Sequence, residues 1–179
     1  HKDNARTSMH MQFIGKVNAK ILCLCEAGKL NEDCFTFLRE NGWHHFLVSS
    51  DRTLTIGVRG PLAQSVQLLA DFTRDERPFG TTRKVWFMMA QINFGLHPRT
   101  WQQTSYAGMK SIRVCVFHVH NKAATKSPDT VRHQLAHMAA LCWFYEIDIV
   151  GGDGNASSYS YYKARQVIPC HHNSNLSII

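Results

Sequence analysis

Residues 147–155 constrain the fold of this chain more than any other stretch. They read Ile-Asp-Ile-Val-Gly-Gly-Asp-Gly-Asn, an apolar run with β-branched residues that ends in two glycines and then presents Asp153 and Asn155. This pattern is typical of a buried strand that is followed by the polar side chains of a site. The alternative is a tight surface turn, because Gly, Asp and Asn are the residues that turns favour.

The chemistry of the two polar residues points towards a site. The carboxylate of Asp153 offers hard oxygen atoms to a cation such as Mg²⁺. The side-chain amide of Asn155 can orient a phosphate oxygen or an attacking water without adding charge. The sequence therefore predicts a strand followed by a site in which a metal ion and a phosphate lie side by side.

The length and the apolar content are those of one soluble domain. The chain has 179 residues, of which 44% are hydrophobic, and this is enough for a substantial core. We expect a single domain over residues 1–179. The longest apolar stretches, such as residues 135–145, are too short to span a bilayer, and the first residues do not form a signal peptide. We therefore expect no membrane partner.

The charge of the chain favours a polyanionic partner. The formal net charge is +7, and the isoelectric point is about 9.3. Such a molecule attracts polyanions, of which nucleic acid is the commonest. Many ordinary proteins are equally basic, so the charge supports a nucleic-acid partner without establishing one. The oligomeric state cannot be inferred from these properties.

The cysteines suggest a reducing environment. None of the six has zinc-finger spacing to another, and four of them lie within otherwise apolar segments. This pattern fits buried free thiols better than a disulfide framework. We expect an intracellular protein in a reducing compartment, and the nucleus is one such compartment.

Periodicity predicts most of the regular structure. We expect helices at residues 9–19, capped near Ser8, and 31–40, and another helix that starts at Ser127 and Pro128. We expect strands at 20–25, 46–49, 54–58, 85–94, 111–120 and 147–150. Residues 60–72 fit either a strand or a helix, and residues 71–84 are typical of a surface loop.

Two of these strands end in side chains that could bind a metal ion or a phosphate. The run at 20–25 is continuously apolar, which indicates burial on both faces, and it leads directly into Glu26. That carboxylate is either a second metal ligand or a solvated strand end. In the strand at 111–120, alternation places His118 and His120 on the same face. Both histidines therefore leave this strand on the same side.

The helix after Ser127 carries a second pair of histidines. His133 and His137 have the i, i+4 spacing of zinc-binding helices, but Gln134 stands where such helices have a glutamate. Both histidines are also predicted to project from the face opposite the apolar stripe. A zinc protein built on these two residues together with His118 and His120 is thus the weakest alternative.

Two segments mix cations with aromatic side chains, a combination that can stack on bases and contact phosphates. Each could equally be a packed loop or edge. The candidate nucleic-acid-binding residues in them are Arg99 and Tyr106 in the first segment and Tyr159, Lys163 and Arg165 in the second.

The order of these motifs resembles the endonuclease/exonuclease/phosphatase family, also called deoxyribonuclease-I-like. The resemblance rests on Asn4, Glu26, the strand ending in His118-Val119-His120, and Gly-Gly-Asp153-Gly-Asn155, and it spans most of the chain. It implies an α/β (α+β) fold in which two packed mixed β-sheets are flanked by helices as a four-layer αββα sandwich. It also implies a Mg²⁺-dependent phosphodiester hydrolase, with Mn²⁺ as a substitute. Among such proteins are the endonucleases of retroelements, and the basic charge favours DNA as the substrate.

The resemblance also implies roles for individual residues. Glu26 and Asp153 would hold the metal ion, and Asn4 would order the Glu26 carboxylate and the phosphate. Asp153 and Asn155 would position the attacking water and the substrate. A histidine after the middle strand would stabilise the phosphate, and both His118 and His120 fit this role.

The chain departs from the family pattern in three ways. Gly154 stands where the family usually has an aromatic residue, only three residues precede Asn4, and the family's downstream Asp-His pair has no clear counterpart. His171 and His172 lie too close to Asn155 to replace that pair. We therefore expect an incomplete sandwich: either a fragment, or a site completed by another chain, or a fold without catalysis. The alternative function is a catalytically incomplete module that binds nucleic acid or protein on the same scaffold.

Overall fold

Two β-sheets form the centre of the protein. The computed structural model describes residues 9, 11–26, 32–60, 63–73, 84–94, 111–120, 123–155 and 177–178. The helices are α1 (residues 11–16), α2 (Glu32–Glu40), α3 (Ala123–Lys126) and α4 (Pro128–Phe144). The strands are β1 (Ile21–Cys25), β2 (Trp43–Val48), β3 (Leu54–Arg59), β4 (Ala63–Asp71), β5 (Val85–Phe94), β6 (Ser111–Val119), β7 (Ile149–Asp153) and β8 (Ser177–Ile178).

The two sheets differ in strand direction. The first sheet has the order β1-β3-β2 and is antiparallel throughout the described strands. The second has the order β4-β5-β6-β7-β8, in which β4, β5 and β6 are antiparallel while β6, β7 and β8 are parallel. Among the described strands only the second sheet is mixed, so the expected pair of sheets is confirmed while the first sheet is antiparallel and not mixed.

The sheets pack face to face through their alternating apolar residues. From the first sheet come Leu54, Ile56 and Val58, and from the second come Met88, Ala90, Ile92, Ile112, Val114 and Val116. This cluster is the inter-sheet core. All five residues at 54–58 are buried because β3 is the central strand of its sheet and is covered on both faces.

Helices cover the outer face of each sheet. On the first sheet, α1 and α2 pack through residues such as Met11, Phe35 and Leu38 around the buried Trp43. On the second sheet, α4 packs through Val131, Met138 and Cys142. The order of layers is thus helices, sheet, sheet, helices, which confirms the four-layer αββα arrangement.

Two details of the sequence interpretation are corrected. The residues of β1 contact core clusters on both faces but are only half-buried, because β1 is an edge strand of its sheet. His137 does not lie opposite the buried stripe of α4, since its ring centroid is 5.7 Å from that of Phe72. The flank of α4 that carries Gln134 and His137 rests on the end of the second sheet, where Gln134 Oε1 accepts hydrogen bonds from the backbone N–H groups of Lys84 and Val85.

The structure shows the state of five cysteines and the start of α4. Cysteines 23, 25, 34, 115 and 142 are free, and the last three are buried. Pro128 opens α4 as predicted, although the side chain of Ser127 makes no capping hydrogen bond. No helix in the described ranges has both the length and the apolar character needed to cross a membrane. Ser8 lies outside those ranges.

Candidate functional site

Three strand ends from the two sheets meet at one end of the sandwich. β1 finishes at Cys25 and is followed by Glu26, while β6 and β7 run parallel with His118 paired to Asp153. The thiol of Cys25 crosses between the sheets and donates to the carbonyl oxygen of Phe117 at 3.1 Å. This contact brings Glu26 of the first sheet beside the end of β6 in the second.

His118 lies at the centre of the site. Its side chain is buried, with 6% of the residue exposed. Nε2 is 2.9 Å from Nδ2 of Asn155 and 3.6 Å from Oε1 of Glu26. One imidazole nitrogen thus faces both an amide and a carboxylate that come from different strand ends.

The hydrogen bonds of Asn155 determine what it can offer a ligand. Nδ2 donates to the carbonyl oxygen of Val119 at 2.9 Å, and it lies at the same distance from Nε2 of His118. The opposite orientation of the amide would place its oxygen against the Val119 carbonyl, and two acceptors repel. Both amide hydrogens are therefore used, Nε2 of His118 accepts, and the group that Asn155 can present to a ligand is its oxygen Oδ1.

Two residues of the site adopt a backbone conformation that is rare outside glycine. The φ angles are 55° at Glu26 and 41° at Asn155. Asn tolerates this left-handed region because its side chain bonds locally, whereas Glu has no such compensation. The backbone N–H of Asn155 also donates to Oδ1 of Asp153 at 2.8 Å. Such strained positions cost about 1–3 kcal/mol each and concentrate at functional sites.

The first two glycines of residues 147–155 belong to a strand rather than to a turn. Both Gly151 and Gly152 lie within β7. A Cβ atom on Gly152 would overlap the carbonyl oxygen of Phe117, so the close approach of β7 to β6 requires glycine there. A Cβ atom on Gly151 would meet only the side chain of Cys23, at 4.0 Å. The predicted strand is confirmed, and only Gly154 and Asn155 lie between it and the end of the described segment.

Glu26 and Asp153 carry hard carboxylate oxygens, the type of ligand that a divalent cation such as Mg²⁺ prefers. Both carboxylates act on the thiol of Cys25. Burial raises the pKa of this thiol to about 11. A hydrogen bond with the backbone of Asp153 lowers this pKa, and the negative charges of Asp153 and Glu26 raise it. The side chain of Glu26 is 74% exposed. Within the described ranges no three His, Cys, Asp or Glu side chains are grouped to hold a metal ion. Two carboxylates with waters are nevertheless the mode in which Mg²⁺ usually binds.

Trp86 belongs to the site, although its chemistry alone did not single it out. It pairs directly with His118 across β5 and β6. Its ring stacks on that of His118 at 5.6 Å with an interplanar angle of 21°, and it lies 5.7 Å from the exposed ring of His120. Alternation places Trp86 on one face of β5, but only the strand register shows which residue it meets.

A polar network joins the two sheets at the same end. Oδ2 of Asp71 accepts from the backbone N–H of Ser50, and Oδ1 accepts from the hydroxyl of Thr73 at 2.6 Å. Burial raises the pKa of Asp71, but the hydrogen bonds from Thr73 and Ser50 outweigh it and hold this pKa below its usual value. Asp71 therefore ties the β2–β3 turn of the first sheet to the end of β4 in the second.

The structure brings together four of the predicted site residues and separates others. Glu26, His118, Asp153 and Asn155 converge, while His120 lies on the same side of β6 but beyond the strand end. The histidines of the zinc alternative do not converge, since His137 packs on Phe72 and His133 is exposed. The predicted residues outside the described ranges are Asn4, Arg99, Tyr106, Tyr159, Lys163 and Arg165.

Comparisons of the chain with protein-family models and with curated proteins find no match.

Proposed function

We propose that this protein is a Mg²⁺-dependent phosphodiester hydrolase that acts as an endonuclease on DNA. The observation that carries the proposal is the convergence of Glu26, His118, Asp153 and Asn155 from strand ends of two different sheets. Residues so far apart in sequence meet here at the cost of two left-handed backbone positions.

The chemistry of each residue suggests a role in phosphodiester hydrolysis. A Mg²⁺ ion, or Mn²⁺ in its place, bound by Glu26 and Asp153 would neutralise charge that develops on the phosphate. Oδ1 of Asp153 already accepts from the backbone of Asn155. Oδ2 of Asp153 and Oδ1 of Asn155 are both acceptors, and two acceptors can orient one attacking water. His118 is buried and holds Asn155 in place, whereas His120 is exposed and can donate to a phosphate oxygen.

The charge of the protein supports a nucleic-acid substrate. A formal net charge of +7 favours encounter with a polyanion over encounter with a small phosphoester. Lysine and arginine contacts with phosphates release counterions, so binding to DNA should weaken steeply as salt rises. A fluorescent duplex of random sequence, titrated at two salt concentrations, measures this dependence.

Cleavage of a supercoiled plasmid tests the proposal. A closed circle has no ends, so nicking reports an endonuclease and not an exonuclease. We expect nicking in Mg²⁺ that is abolished by EDTA and lowered by Glu26→Gln and by Asp153→Asn. Matched controls are Glu146→Gln, whose carboxylate pairs with Arg113, and Asp148→Asn, whose carboxylate accepts from the backbone of Arg113; both lie at the opposite end of the sandwich.

Two outcomes would contradict the proposal. The first is nicking that survives EDTA or that falls equally in the control variants. The second is an absence of nicking together with salt-sensitive DNA binding. That second result would favour the alternative of a binding module without catalysis on the same scaffold.

A further inference from the structure

The indole ring of Trp86 contacts the rings of two histidines at the candidate site. Its ring is nearly parallel to that of His118 and is tilted by 36° from that of His120, with centroid separations of 5.6 and 5.7 Å. Offset stacking of aromatic rings at such separations is favourable. One side chain therefore contacts both imidazoles, of which one is buried and one is exposed.

The position of Trp86 is fixed from three directions. Its half-buried ring packs against the inter-sheet core. The backbone immediately before it is bound to α4, because Gln134 Oε1 accepts from the N–H groups of Lys84 and Val85 at 2.8 and 2.9 Å. The carbonyl of Lys84 in turn accepts from the backbone N–H of His120 at 2.8 Å. The backbone that leads into Trp86 is thus held by α4 and by the residue after β6, while the ring itself lies against the inter-sheet core.

Stacking and hydrogen bonding restrain different motions of the His118 ring. Rotation about the bond between Cβ and the ring is broad and roughly two-fold in histidine. The indole restrains the plane of the ring, since rotation out of that plane breaks the stack. The hydrogen bond from Asn155 determines which edge of the ring faces the site. Both restraints are needed to keep Nε2 beside Asn155 and Glu26.

We propose that Trp86 is a positioning residue that aligns His118 and His120 for phosphodiester hydrolysis. This inference rests on the proposed function for its catalytic consequence, but the alignment itself is a separate property of the fold. Trp86 acts through the two histidines and through Asn155. Its removal therefore lowers turnover more than it weakens substrate binding.

Two measurements on the same variants test the inference. NMR of the histidine ring protons reports the stack directly, because an indole ring current shifts protons that lie over its face upfield. We expect upfield-shifted ring protons for His118, and these shifts should be lost in Trp86→Leu and largely kept in Trp86→Phe. The control is Trp143→Leu, which removes an exposed indole in the last turn of α4, at the opposite end of the sandwich, and leaves the shifts unchanged.

Steady-state kinetics of plasmid nicking give the second readout. We expect Trp86→Leu to lower kcat by up to roughly a hundredfold, the loss that a misplacement of about 1 Å can cause. KM should change less than about twofold, because charge rather than Trp86 governs DNA binding. Trp86→Phe should recover most of kcat, since a smaller aromatic ring can still stack.

The two measurements separate the inference from the proposed function. Unshifted histidine protons in the wild-type protein, or a Trp86→Leu variant with unchanged kcat, would overturn the positioning role. A wild-type protein that shows the upfield shifts but no Mg²⁺-dependent nicking would refute the nuclease and leave the alignment established. Where Trp86→Leu does not fold, the wild-type shifts and the Trp86→Phe variant decide the question.

Discussion

Replacement of Gly152 by alanine should damage both stability and the candidate site, whereas the same change at Gly151 should not. A Cβ atom on Gly152 overlaps the carbonyl oxygen of Phe117 and comes within 2.8 Å of that carbonyl carbon and of a ring carbon of the same residue. The first two are backbone atoms, so no side-chain rotation can relieve the clash. Strand β7 would have to move away from β6.

The structure sets the size of the effect. Overpacking of this kind costs about 1–3 kcal/mol, and displacement of β7 would weaken a ladder hydrogen bond worth about 1 kcal/mol. We therefore expect a loss of about 3 kcal/mol, which lowers Tm by about 6–12 °C for a chain of this length. Asp153 and Asn155 follow Gly152 directly, so nicking measured well below Tm should also fall, by about a hundredfold if they move about 1 Å.

Thermal unfolding followed by circular dichroism provides the assay, and the neighbouring glycine provides the control. At Gly151 an added Cβ atom meets only Cys23 at an ordinary contact distance of 4.0 Å, and φ is not positive there. Gly151→Ala should therefore leave Tm unchanged or raise it slightly, because alanine restricts the unfolded chain. Equal losses of Tm in the two variants would refute the assignment of Gly152 to the close approach of β7 and β6.

Three further predictions concern titration, thiol chemistry and the amide of the site. Hydrogen bonds hold the pKa of Asp71 below its unfolded value, so they stabilise the fold fully above about pH 4 and are lost as pH falls through the folded pKa. Urea unfolding at pH 7 and pH 3 should show a larger loss of stability in the wild type than in Asp71→Asn; parallel losses would contradict this role. Burial raises the pKa of Cys23 to about 12, and hydrogen bonding and burial raise that of Cys115. At pH 7.5 a thiol reagent should modify both cysteines far more slowly in the native than in the urea-unfolded protein, as measured by peptide mass spectrometry, and equal rates would contradict the raised pKa values. Asn155→Asp preserves shape but sets a carboxylate oxygen against the carbonyl of Val119, so nicking should fall at least tenfold while Tm drops by a few degrees; unchanged nicking would remove this amide from the mechanism.

The alternation of apolar and polar residues predicts a strand wherever that alternation is regular. In β6 the alternation of apolar residues identified both faces, and the structure places one face in the inter-sheet core and the other under α4. Strand β4 was ambiguous for a physical reason. Its pairing with β5 shifts register between Ala63 and Ser65 and again between Leu68 and Ala70, so its side chains do not alternate regularly.

The candidate site was predictable only in part, because its geometry depends on strand pairing. Glu26 and Asp153 could be identified as strand ends, but their proximity requires β1 and β7 to meet across the two sheets. The choice between His118 and His120 depends on where β6 ends, since Val119 is the last residue of the strand. The side chain of His118 therefore faces Asn155 and Glu26, while His120 lies beyond the end of the strand and is exposed.

A double-mutant cycle between Glu26 and His118 measures whether the two sheets contribute to one catalytic site. Glu26 follows a strand of the first sheet and His118 lies in the second, and catalysis at the proposed site needs both residues. Single-turnover cleavage of a labelled supercoiled plasmid in Mg²⁺ would be measured for the wild type, Glu26→Gln, His118→Ala and the double variant. Residues that act as a unit show strongly non-additive losses, so the double variant should be little slower than the slower single variant. Losses that multiply independently, or a wild-type protein without Mg²⁺-dependent cleavage, would contradict a shared catalytic site.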